Sequence, residues 1–229
     1  MKKKTKQMKQ EKDDVFVVIP AHNEESSIRE VVKKTKNFLN NIVVVDDGSK
    51  DKTAEEAGKE NITVLKHIIN LGKGAALKTG CDYAIKKGAK RIIVLDADLQ
   101  HDPSEIPNFL SALEKVDVVL GYRKLNKNMP MVLKIGNLVI NETIKLLYGL
   151  RLHDTQCGYR AFTSAAYKKI RWNASDYSME SEMIANIGKR NLKYKEIPIE
   201  TIYTDKYKGT TIIDGIKIVL NLIWWRFFQ

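Results

Sequence analysis

Short apolar runs that end in acidic residues constrain this chain most. Residues 15–19 (Val-Phe-Val-Val-Ile), 42–45 (Ile-Val-Val-Val), 91–95 (Arg-Ile-Ile-Val-Leu) and 116–120 (Val-Asp-Val-Val-Leu) are rich in β-branched residues. A weaker run lies at 62–65. They lack the in–out alternation of a half-exposed strand. Strands of this kind are covered on both faces, as in a parallel sheet. Helical stretches separate them at 27–39, 53–60, 73–87 and 104–115. Ser27 with Glu30, and Thr53 with Glu56, have capping-box spacing. Gly88 supplies a helix stop, and Ser104 after Pro103 a start. The alternation predicts an α/β fold, a mostly parallel sheet with helices on both faces. Ligands bind beyond the carboxyl ends of such strands. There the sequence places His22-Asn23-Glu24, Asp46-Asp47, Asp96-Ala97-Asp98 and Arg123.

The pattern loosens after residue 121. Two stretches, 131–148 and 212–228, are amphipathic, and 12 of the 17 residues in the second are apolar. A chain of 229 residues suits one domain with an appendage. We therefore expect a basic tail at 1–14, a main domain at 15–211 and a terminal amphipathic helix at 212–229. The tail is basic but has no apolar core of the kind a secretory signal needs. No uninterrupted apolar run reaches the length of about 18 that a membrane span requires. Two cysteines exclude a disulfide framework or a zinc finger. Charge is lopsided. Residues 1–120 hold 21 Lys/Arg against 19 Asp/Glu, and residues 121–229 hold 18 against 9. The excess in the second half points to an anionic partner there.

Each polar cluster has a chemical and a bland meaning. Residues two apart in an extended chain point the same way, so Asp96 and Asp98 can face one cleft. Two carboxylates suit Mg²⁺ or Mn²⁺; a solvated acidic turn is the alternative. Asp46 and Asp47 can accept from a base or a ribose, or simply cap a turn. Gly72-Lys73-Gly74 at a helix start suits a diphosphate, or is a surface turn. Asn23 and Glu24 can bond a base, or complement a helix dipole.

Together, VVIPAHNEE, VVVDDGSKDKT, NLGKGAAL and VLDADLQHDP resemble glycosyltransferase family 2, the inverting enzymes of the GT-A fold. The stretches GYR at 121–123, HDTQCGYRAF at 153–162 and SMESE at 178–182 extend the likeness to the dolichyl- or polyprenyl-phosphate mannose or glucose synthases. The resemblance implies a nucleotide-sugar half at 15–120 and an acceptor half at 121–211. Pro20, Ala21, Asn23, Glu24 and Asp47 would hold base and ribose, with Asp46 beside them. Gly72 and Lys73 would approach the nucleotide. Asp96 and Asp98, with Gln100 nearby, would hold Mg²⁺ or Mn²⁺. Arg123 and Arg160 would face phosphate, and Arg123, Lys134 and Lys206 the acceptor phosphate. Asp98, Asp154, Arg123 and Arg160 form the implied catalytic set, with Asp154 as the base if one acts. The last two lysines stand where relatives often carry arginine, and lysine lacks the bidentate fork.

The implied reaction transfers a hexose, mannose from GDP-mannose being favoured over UDP-glucose, to dolichyl or polyprenyl phosphate. A phosphate monoester is already largely dianionic, its second pKa being about 6, so it needs no strong base. The basic second half and helix 212–228, with Trp224 and Trp225, suit an anionic membrane surface. The expected location is therefore peripheral, on a cytoplasmic membrane face. A sugar-hydroxyl acceptor is the alternative, and it would depend on Asp154 as a base. Nucleic-acid binding lacks any motif.

Overall fold

The computed structural model describes residues 14–123, 131–200 and 212–228, and of 131–135 and 212–214 the backbone alone. In chain order the elements are β1 (Val15–Ala21), α1 (Ile28–Lys36), β2 (Ile42–Asp46), α2 (Thr53–Gly58), β3 (Thr63–Lys66), α3 (Lys73–Lys86) and β4 (Arg91–Val94). A 3₁₀ turn at Pro103–Glu105 leads into α4 (Ile106–Leu113). Then come β5 (Val118–Arg123), α5 (Met131–Tyr148), β6 (Arg160–Thr163), α6 (Ser164–Ile170), α7 (Ser178–Lys189), β7 (Tyr194–Ile199) and α8 (Ile212–Phe228).

The seven strands form one sheet in the order β3-β2-β1-β4-β6-β5-β7. All neighbouring pairs are parallel except those of β6, which runs antiparallel to both β4 and β5. The chain winds outward from β1 to β3, then crosses to β4 on the other side of β1. That reversal is a switch point, where the strand ends splay and leave a crevice.

The sheet is buried on both sides, as the unbroken runs require. Along β1, Val15, Val17 and Ile19 face a core built with α1, α2 and α4. Val18 faces the other core, built with α3, α5, α6, α7 and α8. Helix α3 lies so close that a Cβ on Gly80 would sit 2.4 Å from Val18 Cγ1. Only glycine permits that approach, which fixes where the helix start meets the sheet.

The helix ends depart from the expected capping boxes. Ser27 Oγ turns back to Glu24 Oε2 at 2.8 Å, and Thr53 Oγ1 accepts from Glu24 N at 2.8 Å. Both hydroxyls therefore brace the loop after β1 instead of capping their helices. The start before α4 is capped by Asp102, whose Oδ1 accepts from Ser104 N at 2.9 Å. Gly88 does stop α3 as expected, with φ +91°.

Candidate active site

The crevice gathers the polar ends of β1, β2, β4 and β5. Asp96 and Asp98 leave β4 through a tight turn. Leu99 adopts φ +65°, and Gln100 N donates to Asp98 Oδ1 at 3.1 Å. The turn keeps both carboxylates beside the cleft. Burial raises the Asp98 pKa, and the neighbouring Asp96 charge raises it further against the pull of the Gln100 amide. Burial alone would also raise Asp96, but the Lys73 ammonium outweighs it and holds the group at about 2. Lys73 Nζ lies 2.8 Å from Asp96 Oδ1 and 3.0 Å from Glu180 Oε1. Gly158 forms the wall beside Asp96, where any Cβ would sit 2.4 Å from Oδ2. His101, buried beneath the turn, accepts from Asp96 N at 3.3 Å. Burial pushes its pKa down to about 4, so the ring is neutral near pH 7.

These residues fit a divalent cation. Two carboxylates stand side by side, and Asp98 resists ionisation because of its burial and, after that, the charge on Asp96. Among the described residues no three of His, Cys, Asp and Glu cluster as a self-contained metal site. Mg²⁺ does not need one, since it takes one or two carboxylates and completes its shell with water and substrate phosphate.

The β1 and β2 ends form a second, interlocked group. His22 Nδ1 donates to Asp47 O at 2.9 Å, which leaves Nε2 to accept from Asn23 Nδ2 at 3.1 Å. Asn23 takes φ +56°, and its Oδ1 accepts from Lys50 N at 2.9 Å. Pro20 and Ala21 lie in register with Val45 and Asp46. Asp46 is buried and accepts from Ser49 N at 3.0 Å. Asp47 is engaged within the protein: it accepts from Leu71 N at 2.9 Å, Gly72 N at 2.8 Å and His67 Nδ1 at 2.6 Å. It thereby ties the loop before α3 to β2.

That tie alters the expectation for the Gly72-Lys73-Gly74 turn. Gly74 N and Ala75 N both point at Ser175 O, at 2.7 and 3.3 Å. Cβ atoms on Gly72 or Gly74 would come within 2.3 Å of carbonyl oxygens of Ser175 and Ala174. The glycines thus let the loop pack on residues 174–175, and these amides are not presented to a diphosphate. What the turn offers the cleft is the Lys73 ammonium.

At the end of β5, Arg123 and Asp154 form a two-pronged pair, Nε–Oδ2 at 2.6 Å and Nη2–Oδ1 at 3.1 Å. Burial would raise the Asp154 pKa, but Arg123 outweighs it and the net shift is downward. Asp154 therefore holds an arginine and is a poor base. Arg160 corrects the expectation most clearly. It is buried, and its N–H groups serve the backbone carbonyls of Cys157 (2.9 Å), Glu180 (2.9 Å) and Thr155 (2.8 Å). Lys206 lies outside the described residues, and for Lys134 only the backbone of α5 is described.

Sequence reasoning passed over His67, His101, Gly158 and Glu180. The motif stretches contain the last three, but only the packing of α7 and β6 against the β4 end gives them roles. Glu182, two residues on, differs: it accepts from Asn173 N and Ala174 N and fixes that loop.

A mostly parallel sheet with polar side chains gathered at its switch point is where open α/β folds bind their ligands. The chain belongs to glycosyl transferase family 2, whose model matches residues 16–171. It is 43% identical, over its whole length and 99% of the other chain, to an uncharacterized protein of Methanocaldococcus jannaschii. It is 35% identical to the UDP-N-acetylglucosamine–dolichyl-phosphate N-acetylglucosaminyltransferase of Methanococcus voltae, covering 91% of this chain and 94% of that one. Among solved structures, glucosyl-3-phosphoglycerate synthase from Mycobacterium tuberculosis, crystallised with Mg²⁺ and UDP, superposes with a TM-score of 0.76. It is 16% identical, over 96% of this chain and 82% of that one, and shares the fold.

Proposed function

We propose that this protein moves a sugar, with inversion, from a nucleoside diphosphate sugar to the phosphate of a dolichyl- or polyprenyl-type lipid. The observation that carries the phosphate acceptor is the Arg123–Asp154 pair. A hydroxyl acceptor needs a base, and the acid offered for that task is buried, paired and held below its usual pKa. A phosphate monoester arrives largely ionised. Arg123, kept in orientation by Asp154, suits its charge.

The acceptor oxygen forms a bond to the anomeric carbon as the bond to the diphosphate oxygen breaks. The electron pair leaves with the nucleoside diphosphate. Asp96 and Asp98, with Gln100 bracing their turn, would hold a divalent ion, and its chemistry when bound would be to offset charge on a diphosphate. Lys73 adds positive charge in the same buried cleft. Asn23, Glu24 and Asp46 stand at the nucleoside end. The likeness to the Methanococcus voltae enzyme moves the donor from GDP-mannose towards UDP-N-acetylglucosamine.

The lipid acceptor gives α8 a role. Ile218, Leu222 and Trp225 pack inward, while Ile216, Leu220, Trp224, Phe227 and Phe228 are exposed along the opposite face. None of the described helices is long and apolar enough to cross a membrane. This face instead lies in the headgroup region, beside the basic second half of the chain.

The purified protein is incubated with Mn²⁺, a short polyprenyl phosphate and a panel of UDP- and GDP-sugars, and diphosphate release is followed. Release with one donor that requires the lipid phosphate, and is lost in EDTA and in Asp98→Asn, is expected. Undiminished release by Asp98→Asn would overturn the metal assignment. Release with a neutral sugar acceptor in place of the lipid phosphate would overturn the acceptor.

A further inference from the structure

Lys73 is oddly placed. It is the first residue of α3, where the helix dipole disfavours a cation. Two carboxylates hold it there, Asp96 and Glu180. Neither contact is saturated. Asp96 Oδ1 is buried, and among the described residues the Lys73 ammonium, 2.8 Å away, is the one partner it meets. Glu180 is 3% exposed, and its Oε2 is buried without a hydrogen-bond partner among the described residues. One ammonium is thus shared between two acids that could each accept more. One acid belongs to the proposed metal site, and the other does not.

We propose that Lys73 is an exchangeable counter-ion, which neutralises Asp96 when no divalent ion is bound and passes to Glu180 when one binds. This rests on Asp96 and Asp98 being the ion's ligands. A divalent ion on Asp96 repels an ammonium 2.8 Å from the same carboxylate. Glu180 already touches that ammonium, so the transfer needs only side-chain torsions. Lysine suits the task, since its charge rides on a flexible stem and its three donors need no fixed plane. Glu180 is then a positioning residue, acting on the ion only through Lys73.

Mn²⁺ binding to the full chain is measured from the paramagnetic resonance of free Mn²⁺, with and without UDP. Wild type, Lys73→Gln, Glu180→Gln, the double variant and Asp98→Asn are compared, with melting curves to confirm folding. Lys73→Gln removes the competitor and should bind Mn²⁺ about tenfold tighter, a decade being about 1.4 kcal/mol. Glu180→Gln leaves Lys73 no second acceptor and should bind more weakly. The double variant should match Lys73→Gln, because Glu180 then has nothing to act through. Should Lys73→Gln not fold, Glu180→Gln alone decides, and unchanged affinity there overturns the exchange. Glu180→Gln weakening that persists in the double variant also overturns it, since Glu180 would then act on the ion directly. Binding lost in Asp98→Asn but unchanged in Lys73→Gln overturns the exchange and spares the metal site. No binding by wild type or by Lys73→Gln overturns both.

Discussion

Gly158→Ala tests the geometry of the site with one methyl group. The backbone at Gly158 is outside the left-handed region, so alanine fits it without strain. The added Cβ would lie 2.4 Å from Asp96 Oδ2, 2.8 Å from Oδ1 and 2.9 Å from Cγ. Ordinary contact begins at 3.4 Å, so the carboxylate must retreat by about 1 Å. Asp has too short a side chain to fold aside, and this one is held by Lys73 and underlain by His101. Overpacking of this kind costs about 1–3 kcal/mol. For a chain of this size that lowers Tm by roughly 2–4 °C per kcal/mol. The larger effect falls on the reaction, because a misplacement of about 1 Å can cost about 100-fold in rate. Turnover should therefore fall about 100-fold at saturating donor and Mn²⁺, while the protein stays folded. Turnover within a factor of about two of wild type, with an unchanged melt, would show that Asp96 has room the structure denies it.

Arg160→Met should destabilise by about 3 kcal/mol or more in urea unfolding, because three buried carbonyls lose their donor. In EDTA, stability should fall as pH drops from 6.5 to about 4: an unfolded imidazole takes up its proton near 6.5, and folded His101 only near 4. The unfolded state thus binds more protons in that window, worth about 3 kcal/mol, and His101→Gln should flatten the slope there. Trp224→Ser with Phe228→Ser removes a stacked pair, 4.4 Å between ring centres, from the exposed face of α8. Sedimentation with acidic vesicles should be lost in that variant, while its melting temperature holds.

The parallel strands could be anticipated because burial on both faces leaves an unbroken apolar run in the chain, as in β1 and β2. β7 left no such mark. It is an edge strand, Tyr-Lys-Glu-Ile-Pro-Ile, half exposed and carrying a proline that an edge tolerates. Four-residue β6 begins with an arginine. The amphipathic stretches 131–148 and 212–228 became α5 and α8 because a helical stripe persists over several turns. Within the site, Asp96 and Asp98 stood out because they follow an apolar run directly, but the extended chain assumed for them is a bend at residues 97–99, with Leu99 at φ +65°. The roles of Asp47 and Arg160 were not legible. A motif says which side chain stands at a strand end, but not which amides or carbonyls of a distant loop will take its hydrogen bonds. Ser27 and Thr53 had the right spacing for caps, yet Glu24 offered both a nearer partner.

β6 has a consequence for how such an enzyme can change. The chain leaves the sheet at Arg123 and returns at Arg160, on the neighbouring strand and at the same end. Everything between is an excursion whose two ends stay joined by the β5–β6 pairing. Such an insert can be lengthened, shortened or exchanged without altering strand order. Exchanging residues 124–157 between relatives, with Gly158 beside Asp96 kept, would test whether this excursion carries acceptor preference.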